Sequence, residues 1–259
     1  MQVSVLASGS KGNSIFVEAG GTKLLVDAGI SARRIRQSLA EIDVHVGDLD
    51  GILITHEHRD HINGLKTLTK QYRLPIYTRM ETLQAMFCSQ EIPQEYWRPV
   101  QEDFHIGAAS VRAFNISHDA ADPVGYMIHA AGKKCTVATD LGFVTSTVQA
   151  AIDHSDLLVL EANHDPDLLQ KGSYPWMLKK RILSNRGHLS NNDAAWALVR
   201  MQSQRTQVLL AHLSEENNRP EIARDTICQI ALQQGCDLQK NLQIHLTKPD
   251  EIVTVSTDS

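Results

Sequence analysis

Apolar residues fall in short runs along this chain, separated by clusters of Gly, Asn, Asp and Ser. Runs at 2–7, 14–19 and 22–26 have strand length and are joined by Gly-rich turns, which predicts three short strands. A helical period follows over 32–42, capped near Ser31, with Arg33, Arg34 and Arg36 on the polar face. The continuous run Gly51-Ile52-Leu53-Ile54 predicts a buried strand, and a helix runs from 62 to about 72. Next come a strand at 75–78, a short helix at 81–87, strands at 100–107 and 110–117, and a hairpin of 125–130 with 133–139 through Ala131-Gly132. The remainder reads as helix 147–152, strand 156–160, helices 176–183 and 191–201, strand 207–211, a long amphipathic helix 221–233 and a closing strand 242–247. The tail from about residue 248 is polar and is expected to fray.

Strands that first meander and then alternate with helices predict two sheets with helices outside. Length admits one domain or two, but no linker, repeat or low-complexity tract divides the series, so 1–259 is read as one. A composition 42% hydrophobic and 21% charged is that of a soluble globular chain. No apolar run approaches the roughly 20 residues of a membrane span, and the N-terminus enters strand pattern without a secretion signal. Cys88, Cys135, Cys228 and Cys236 are scattered without a C-x-x-C and fit a reducing cytoplasm. A nucleic-acid binder with an extended basic face is usually positive, whereas the net charge here is −5, so any nucleic-acid contact has to be local. The oligomeric state is left open, a homodimer included.

The candidate chemistry is concentrated in Thr55-His56-Glu57-His58-Arg59-Asp60-His61. It lies between an apolar strand and a helix. Alternation on an extended segment turns His56, His58 and Asp60 to one side, while His61, at the helix start, comes in from another. Such a set can serve two adjacent cations, and imidazole with carboxylate suits zinc, manganese or iron. His118, Asp140 and His212 each follow an apolar run, as His56 does, and side chains at strand ends can converge on one sheet edge. The loop Ser8-Gly9-Ser10-Lys11-Gly12-Asn13-Ser14 is either a plain hairpin turn or a backbone nest for an anion, with Ser8, Ser10, Lys11 and Asn13 as candidate phosphate contacts. Lys179-Lys180-Arg181 and the arginines at 33, 34 and 36 are further candidates, and Trp97, Trp176 and Tyr174 could stack bases.

T-H-x-H-x-D-H after a strand, with Asp27 upstream and His118, Asp140 and His212 after later strands, resembles the metallo-β-lactamase superfamily from Asp27 to His212. Ser8–Ser14, Ser117–Tyr126, Glu161-Ala-Asn-His-Asp165, Gly187-His-Leu-Ser-Asn191 and Leu213-Ser-Glu-Glu-Asn-Asn218 resemble its WalJ (YycJ)-like, exonuclease-like group, which acts on DNA. The resemblance implies an α/β fold, an αββα sandwich of two mixed sheets with helices on the outer faces. It implies that His56, His58 and His118 hold one metal and Asp60, His61 and His212 another. Asp140 would bridge them together with a water or hydroxide, and Asp27 would orient a ligand imidazole from behind. Asp at 140, where the best-known metallo-β-lactamases carry Cys, disfavours antibiotic hydrolysis. His at 58, where di-iron oxygen reductases have Glu, disfavours redox chemistry.

Gly187-His188-Leu189-Ser190 and Glu161-Ala162-Asn163 resemble the His and Glu beside the scissile phosphate in superfamily nucleases that process tRNA ends. A carboxylate beside an imidazole favours its protonated form, so the pair suits donation to a departing alkoxide. The expected catalytic set is His188, Glu161, Asp140 and Asp60. His164 neighbours Glu161 and is read as structural or substrate-facing. The expected function is a dinuclear, metal-dependent phosphodiesterase, a 5′-to-3′ DNA exonuclease with a metal-bridging hydroxide as nucleophile. The alternatives are a small-molecule or cyclic-nucleotide phosphodiesterase, a thioesterase- or lactonase-type hydrolase, and a metal-holding regulatory protein without turnover.

Overall fold

A computed structural model describes residues 1–202, 205–236 and 241–257. Strands β1 (Gln2–Ala7), β2 (Ser14–Ala19) and β3 (Thr22–Val26) form an antiparallel meander. Helix α1 (Ala32–Glu41) then crosses to β4 (Gly51–Leu53), which pairs parallel to β3. Two helical pieces follow, α2 (Arg59–Ile62) and α3 (Leu65–Tyr72), and then strand β5 (Ile76–Thr78). The helix expected from residue 62 is thus broken at Asn63-Gly64. A Cβ at Gly64 would stand 2.4 Å from the Ile30 carbonyl oxygen, so the break lets the chain pack directly on the loop before α1.

Helix α4 (Met80–Ala85) leads to β6 (Trp97–Pro99), a short strand parallel to β5. The strand expected at 100–107 is corrected here. Residues 97–99 close one sheet, and β7 (Asp103–Ile106) opens the other. Local pattern carries no information about which sheet a strand joins.

Strands β8 (Ala109–Asn115), β9 (Val124–Ala130) and β10 (Lys133–Ala138) continue β7 as antiparallel neighbours. Helix α5 (Ser146–Ile152), strand β11 (Leu157–Glu161), helices α6 (Pro166–Lys171), α7 (Trp176–Ile182) and α8 (Asn191–Arg200), strand β12 (Thr206–Ala211), helix α9 (Pro220–Gln233) and strand β13 (Leu242–Leu246) complete the series. Strands β10 to β13 run parallel. The tail expected to fray instead contributes β14 (Val253–Ser256), antiparallel to β1, with Val3 opposite Val255. Its alternation is too short to stand out, and it is stabilised by an edge that β1 leaves open. Residues 258 and 259 lie outside the described residues.

The result is two seven-stranded mixed sheets, ordered β14-β1-β2-β3-β4-β5-β6 and β13-β12-β11-β10-β9-β8-β7. Alternation divides each strand between two cores. Val5, Val17, Val26, Val111, Tyr126, Val137, Val159 and Leu209 meet between the sheets. Phe16, Leu25, Ile52 and Ile54 face Ile35 and Leu39 of α1 and Leu65 and Leu68 of α3. Leu158, Leu160, Val208 and Leu210 face α5, α8 and α9 through Val148, Ala194, Leu198 and Ile227. Central parallel strands are therefore apolar on both faces, which is why 51–54 and 157–160 read as continuous apolar runs. Among the described residues no helix is long and apolar enough to cross a membrane.

Candidate metal centre

Strand ends bring the site together. Asp27 follows β3, Thr55 and His56 follow β4, Asp140 follows β10, Glu161 ends β11 and His212 follows β12. Val26 is in register with Leu53, Ala138 with Leu160, and Glu161 with Ala211, so these residues emerge along one edge of the sandwich. Asp27, Asp140 and His212 all adopt the left-handed backbone, with φ of 61°, 59° and 54°. Three non-glycine residues held there mark strained strand exits that the surrounding packing enforces.

His56, His58 and His118 form one group of converging ring nitrogens, and Asp60, His61 and His212 a second. Asp60 does not share the strand alternation of His56 and His58. It lies in the first turn of α2, and this is why it joins His61. Asp140 reaches both groups. Its Oδ2 is 3.4 Å from His61 Nε2, and its Oδ1 is 3.8 Å from His118 Nε2 and 3.6 Å from His212 Nδ1.

The outward nitrogens are tied to the protein. His61 Nδ1 contacts Asp27 Oδ2 at 2.7 Å, His118 Nδ1 the Gly187 carbonyl at 3.1 Å, and His212 Nδ1 Glu161 Oε1 at 2.8 Å. His56 Nδ1 lies 3.0 Å from Thr55 Oγ1, whose hydroxyl donates to Asp27 Oδ2 at 2.8 Å. The other nitrogens are left facing one another. His58 Nδ1 is 3.1 Å from His56 Nε2 and 3.4 Å from His118 Nε2. Metal–nitrogen bonds of about 2.0–2.1 Å in a tetrahedral zinc site would space ligand nitrogens roughly 3.3 Å apart. His212 Nε2 and Asp140 Oδ2 are buried without a hydrogen bond. Buried donors and acceptors are normally satisfied, so the cage fits divalent cations.

The charges are strongly interdependent. Burial, then the surrounding imidazoles, hold His56 well below its usual pKa. Burial also works to lower His61, but Asp140, Asp27 and Asp60 outweigh it and raise the ring to about 9. His212 is likewise raised, against burial, by Asp140, Asp60 and Glu161. Burial would push the three carboxyls up. The facing imidazoles more than offset it, and Asp60, Asp140 and Glu161 all lie below their usual range.

Glu161 is fully buried and does more than its sequence position suggested. Its Oε1 meets both His188 Nδ1 and His212 Nδ1 at 2.8 Å, and its Oε2 accepts from the Leu141 and Leu189 amides at 2.5 and 3.2 Å. His188 reaches this position because the chain turns back on α7, with its amide donating to the Ile182 carbonyl at 3.0 Å. A Cβ at Gly187 would lie 2.1 Å from that same oxygen, so the turn requires glycine.

Of the candidate phosphate contacts, Ser10 from the loop at 8–14 and Arg181 from the basic run at 179–181 line the cavity beside the cage. Ser8 Oγ is buried, accepting from the His212 amide at 2.6 Å, and Asn13 is buried with Oδ1 on the Gly9 amide and Nδ2 against His61. Lys11 pairs with Glu215 at 2.6 Å. The nest is thus turned inward: the Asn13 amide donates to the Asp60 carbonyl, and the segment braces the cage. Lys179 is also internal, donating to the Gln170 and Gly172 carbonyls. Trp97 is packed in the core, and Arg34 pairs with Asp250. His164 is buried with neither ring nitrogen hydrogen-bonded, and it is not among the residues lining the cavity beside the cage. Thr55 and Asn163, whose side-chain amide donates to the His212 carbonyl, support the cage without having been given a role from the sequence. Only the spacing T-H-x-H pointed toward Thr55.

A model of the beta-lactamase superfamily domain matches residues 22–213, which includes every residue of the cage. The chain belongs to the beta-lactamase superfamily. Within this superfamily it is 39% identical over 253 residues to the exodeoxyribonuclease YycJ of Bacillus anthracis, covering 96% of each chain. It is 40% identical to the exodeoxyribonuclease WalJ of Streptococcus pneumoniae serotype 2, over 95% of this chain and 94% of that one. The superfamily fold is also that of the Zn2+-bound PqqB of Methylobacterium extorquens, with a TM-score of 0.72 at 19% identity over 99% and 100% of the two chains. The protein is a hydrolase of this superfamily in its YycJ/WalJ group.

Proposed function

We propose that the chain is a metal-dependent DNA exonuclease, degrading from the 5′ end with two divalent cations, zinc or manganese, with iron also suited to the donor set. The observation that carries it is the likeness to exodeoxyribonucleases along nearly the whole of both chains. The Glu161–His188 pair beside the cation cage supports it. In this reading His56, His58 and His118 hold one cation, Asp60, His61 and His212 the other, and Asp140 lies between. Cations bound there would neutralise the phosphodiester oxygens and acidify water enough to supply hydroxide at neutral pH.

The remaining work belongs to the chain. Asp27 and Glu161 fix the ring orientations of His61 and His212 from behind. Glu161 also anchors the Nδ1 side of His188, so the opposite edge of that ring is free to give a proton to the departing sugar oxygen. The four cysteines are free, which supports a reducing cytoplasm as its location.

The net charge of −5 and a cavity of about 150 Å3, small beside the roughly 300–1,000 Å3 of most ligand sites, favour a second reading, a phosphodiesterase for small or cyclic nucleotides. End-labelled single- and double-stranded DNA, incubated with the protein and added Mn2+ or Zn2+, separates the two. Release of 5′-labelled mononucleotides from the outset is expected. Hydrolysis of bis(p-nitrophenyl) phosphate with intact DNA under both metals would overturn the exonuclease reading in favour of the second.

A further inference from the structure

The cavity wall opposite the cage is built by α7 and the turn after it. Leu178, Arg181 and Ile182 lie at helical spacing on one face of α7, and Arg186 follows in the turn. Arg181 Nε lies 3.3 Å from Asp119 Oδ2, both side chains being more than half exposed. Arg186 donates Nε to the His118 carbonyl at 3.2 Å and forms no ion pair among the described residues. This contact fixes the root of the guanidinium while both terminal amino groups stay free. Lys11 and Lys179 are already committed, Lys11 to Glu215 and Lys179 to backbone carbonyls. In a protein of net charge −5, two guanidiniums beside a metal cage are a local cationic feature, and Arg186 has no carboxylate partner among the described residues.

We propose that Arg181 and Arg186 clamp the phosphate next to the scissile one, with Leu178 and Ile182 against the intervening sugar, so that the enzyme selects a polynucleotide over a single diester. The proposal rests on the phosphodiesterase reading of the cage. A cavity of about 150 Å3 takes one reacting group and leaves the rest of the chain on its rim. Arginine forks match phosphate oxygens two at a time. The plainer role for Arg186 is to brace the His118 loop through its carbonyl, and the test is built to separate the two.

Full-length, metal-loaded wild type, Arg186→Ala, Arg186→Lys and Arg181→Ala would be compared in two measurements. The first is fluorescence anisotropy of a 3′-fluorescein, phosphorothioate-linked dT12 across a salt series. The second is kcat/KM on dT12 and on bis(p-nitrophenyl) phosphate. Loss of a charge-assisted phosphate contact should weaken dT12 binding about ten-fold in Arg186→Ala. It should also make the log–log salt slope shallower by about 0.7, the share of one single-strand phosphate. Arg186→Lys should keep most of the slope, Arg181→Ala should flatten it similarly, and the dT12 to bis(p-nitrophenyl) phosphate ratio of kcat/KM should fall about ten-fold in Arg186→Ala. Equal falls on both substrates with unchanged dT12 binding would overturn the clamp and assign Arg186 to bracing His118. Unchanged binding and an unchanged ratio would overturn it outright while DNA degradation by wild type kept the exonuclease reading. Wild type that binds dT12 through Arg186 without degrading DNA would support the clamp and sink the exonuclease reading.

Discussion

Glu161 shows how one side chain can set the chemistry of several others. With no exposed surface, it accepts from two amides and meets the Nδ1 atoms of His188 and His212 through one oxygen. Glu161→Gln keeps the shape but loses the charge and one acceptor. Turnover should fall roughly 10²- to 10⁴-fold, the usual range for a proton-transfer group, with metal affinity down about 10- to 100-fold through His212. Steady-state kinetics with elemental analysis would measure both, and full activity at full metal loading would remove the role. His164 makes a prediction of the opposite kind. Burial lowers its pKa to about 4, and neither ring nitrogen has a partner. The unfolded chain takes up its proton near the usual value of about 6.5, whereas the folded ring does so near 4. Its contribution is therefore a stability loss that grows as pH falls from about 6.5 to 4 and is absent above it. Denaturation midpoints at pH 7 and pH 5 should differ less in His164→Leu than in wild type.

At the scale of elements, the longer helices and the central strands were legible because burial writes a period into them, whereas α6, which buries only Leu169, was not expected. Ile35 and Leu39 mark the inner face of α1, and Leu157 to Leu160 are apolar throughout because β11 is covered on both sides. Short edge pieces were not legible. β6 is three residues ending in a proline, and β14 is four residues in a polar tail. What makes them strands is a neighbour's open edge. Strand β14 nevertheless carries weight, since Val255 is buried in the core between the sheets and Val253 packs against it. At about 1.5–3 kcal/mol for the buried Val255 and about half that for the partly buried Val253, ending the chain after Ile252 should cost roughly 2–4 kcal/mol. This corresponds to a fall of about 4–16 °C in Tm. A thermal shift assay showing no change would mean that the strand packs too loosely to matter.

For the molecule as a whole, the two sheets act as a frame that holds ionisable groups together before any cation binds. Mutual pairing allows this: imidazoles raised in pKa, His61 to about 9, face carboxyls held below their usual range. Cations that bind the folded cage and not the unfolded chain add RT ln(1 + [L]/Kd), about 2.7 kcal/mol per site at a hundred-fold excess over Kd. Stripping the protein with a chelator should therefore lower Tm by roughly 5–20 °C, with Zn2+ or Mn2+ restoring it. A Tm indifferent to both would argue that the cage holds no cation tightly.

The order of the main helices and central strands and the dense run from His56 to His61 followed from the sequence, because periodicity and nearest-neighbour spacing are local properties of the chain. Long-range contacts decided the rest. Ser8 meets the His212 amide across 204 residues of sequence, Asn13 closes on His61, and Arg186 reaches the cavity over the His118 carbonyl. The same small polar segment that could have opened toward a phosphate turned inward to brace the cage. Its hydrogen-bonding groups could be assigned only once the register of parallel strands and the stacking of two sheets had fixed which strand ends came within reach.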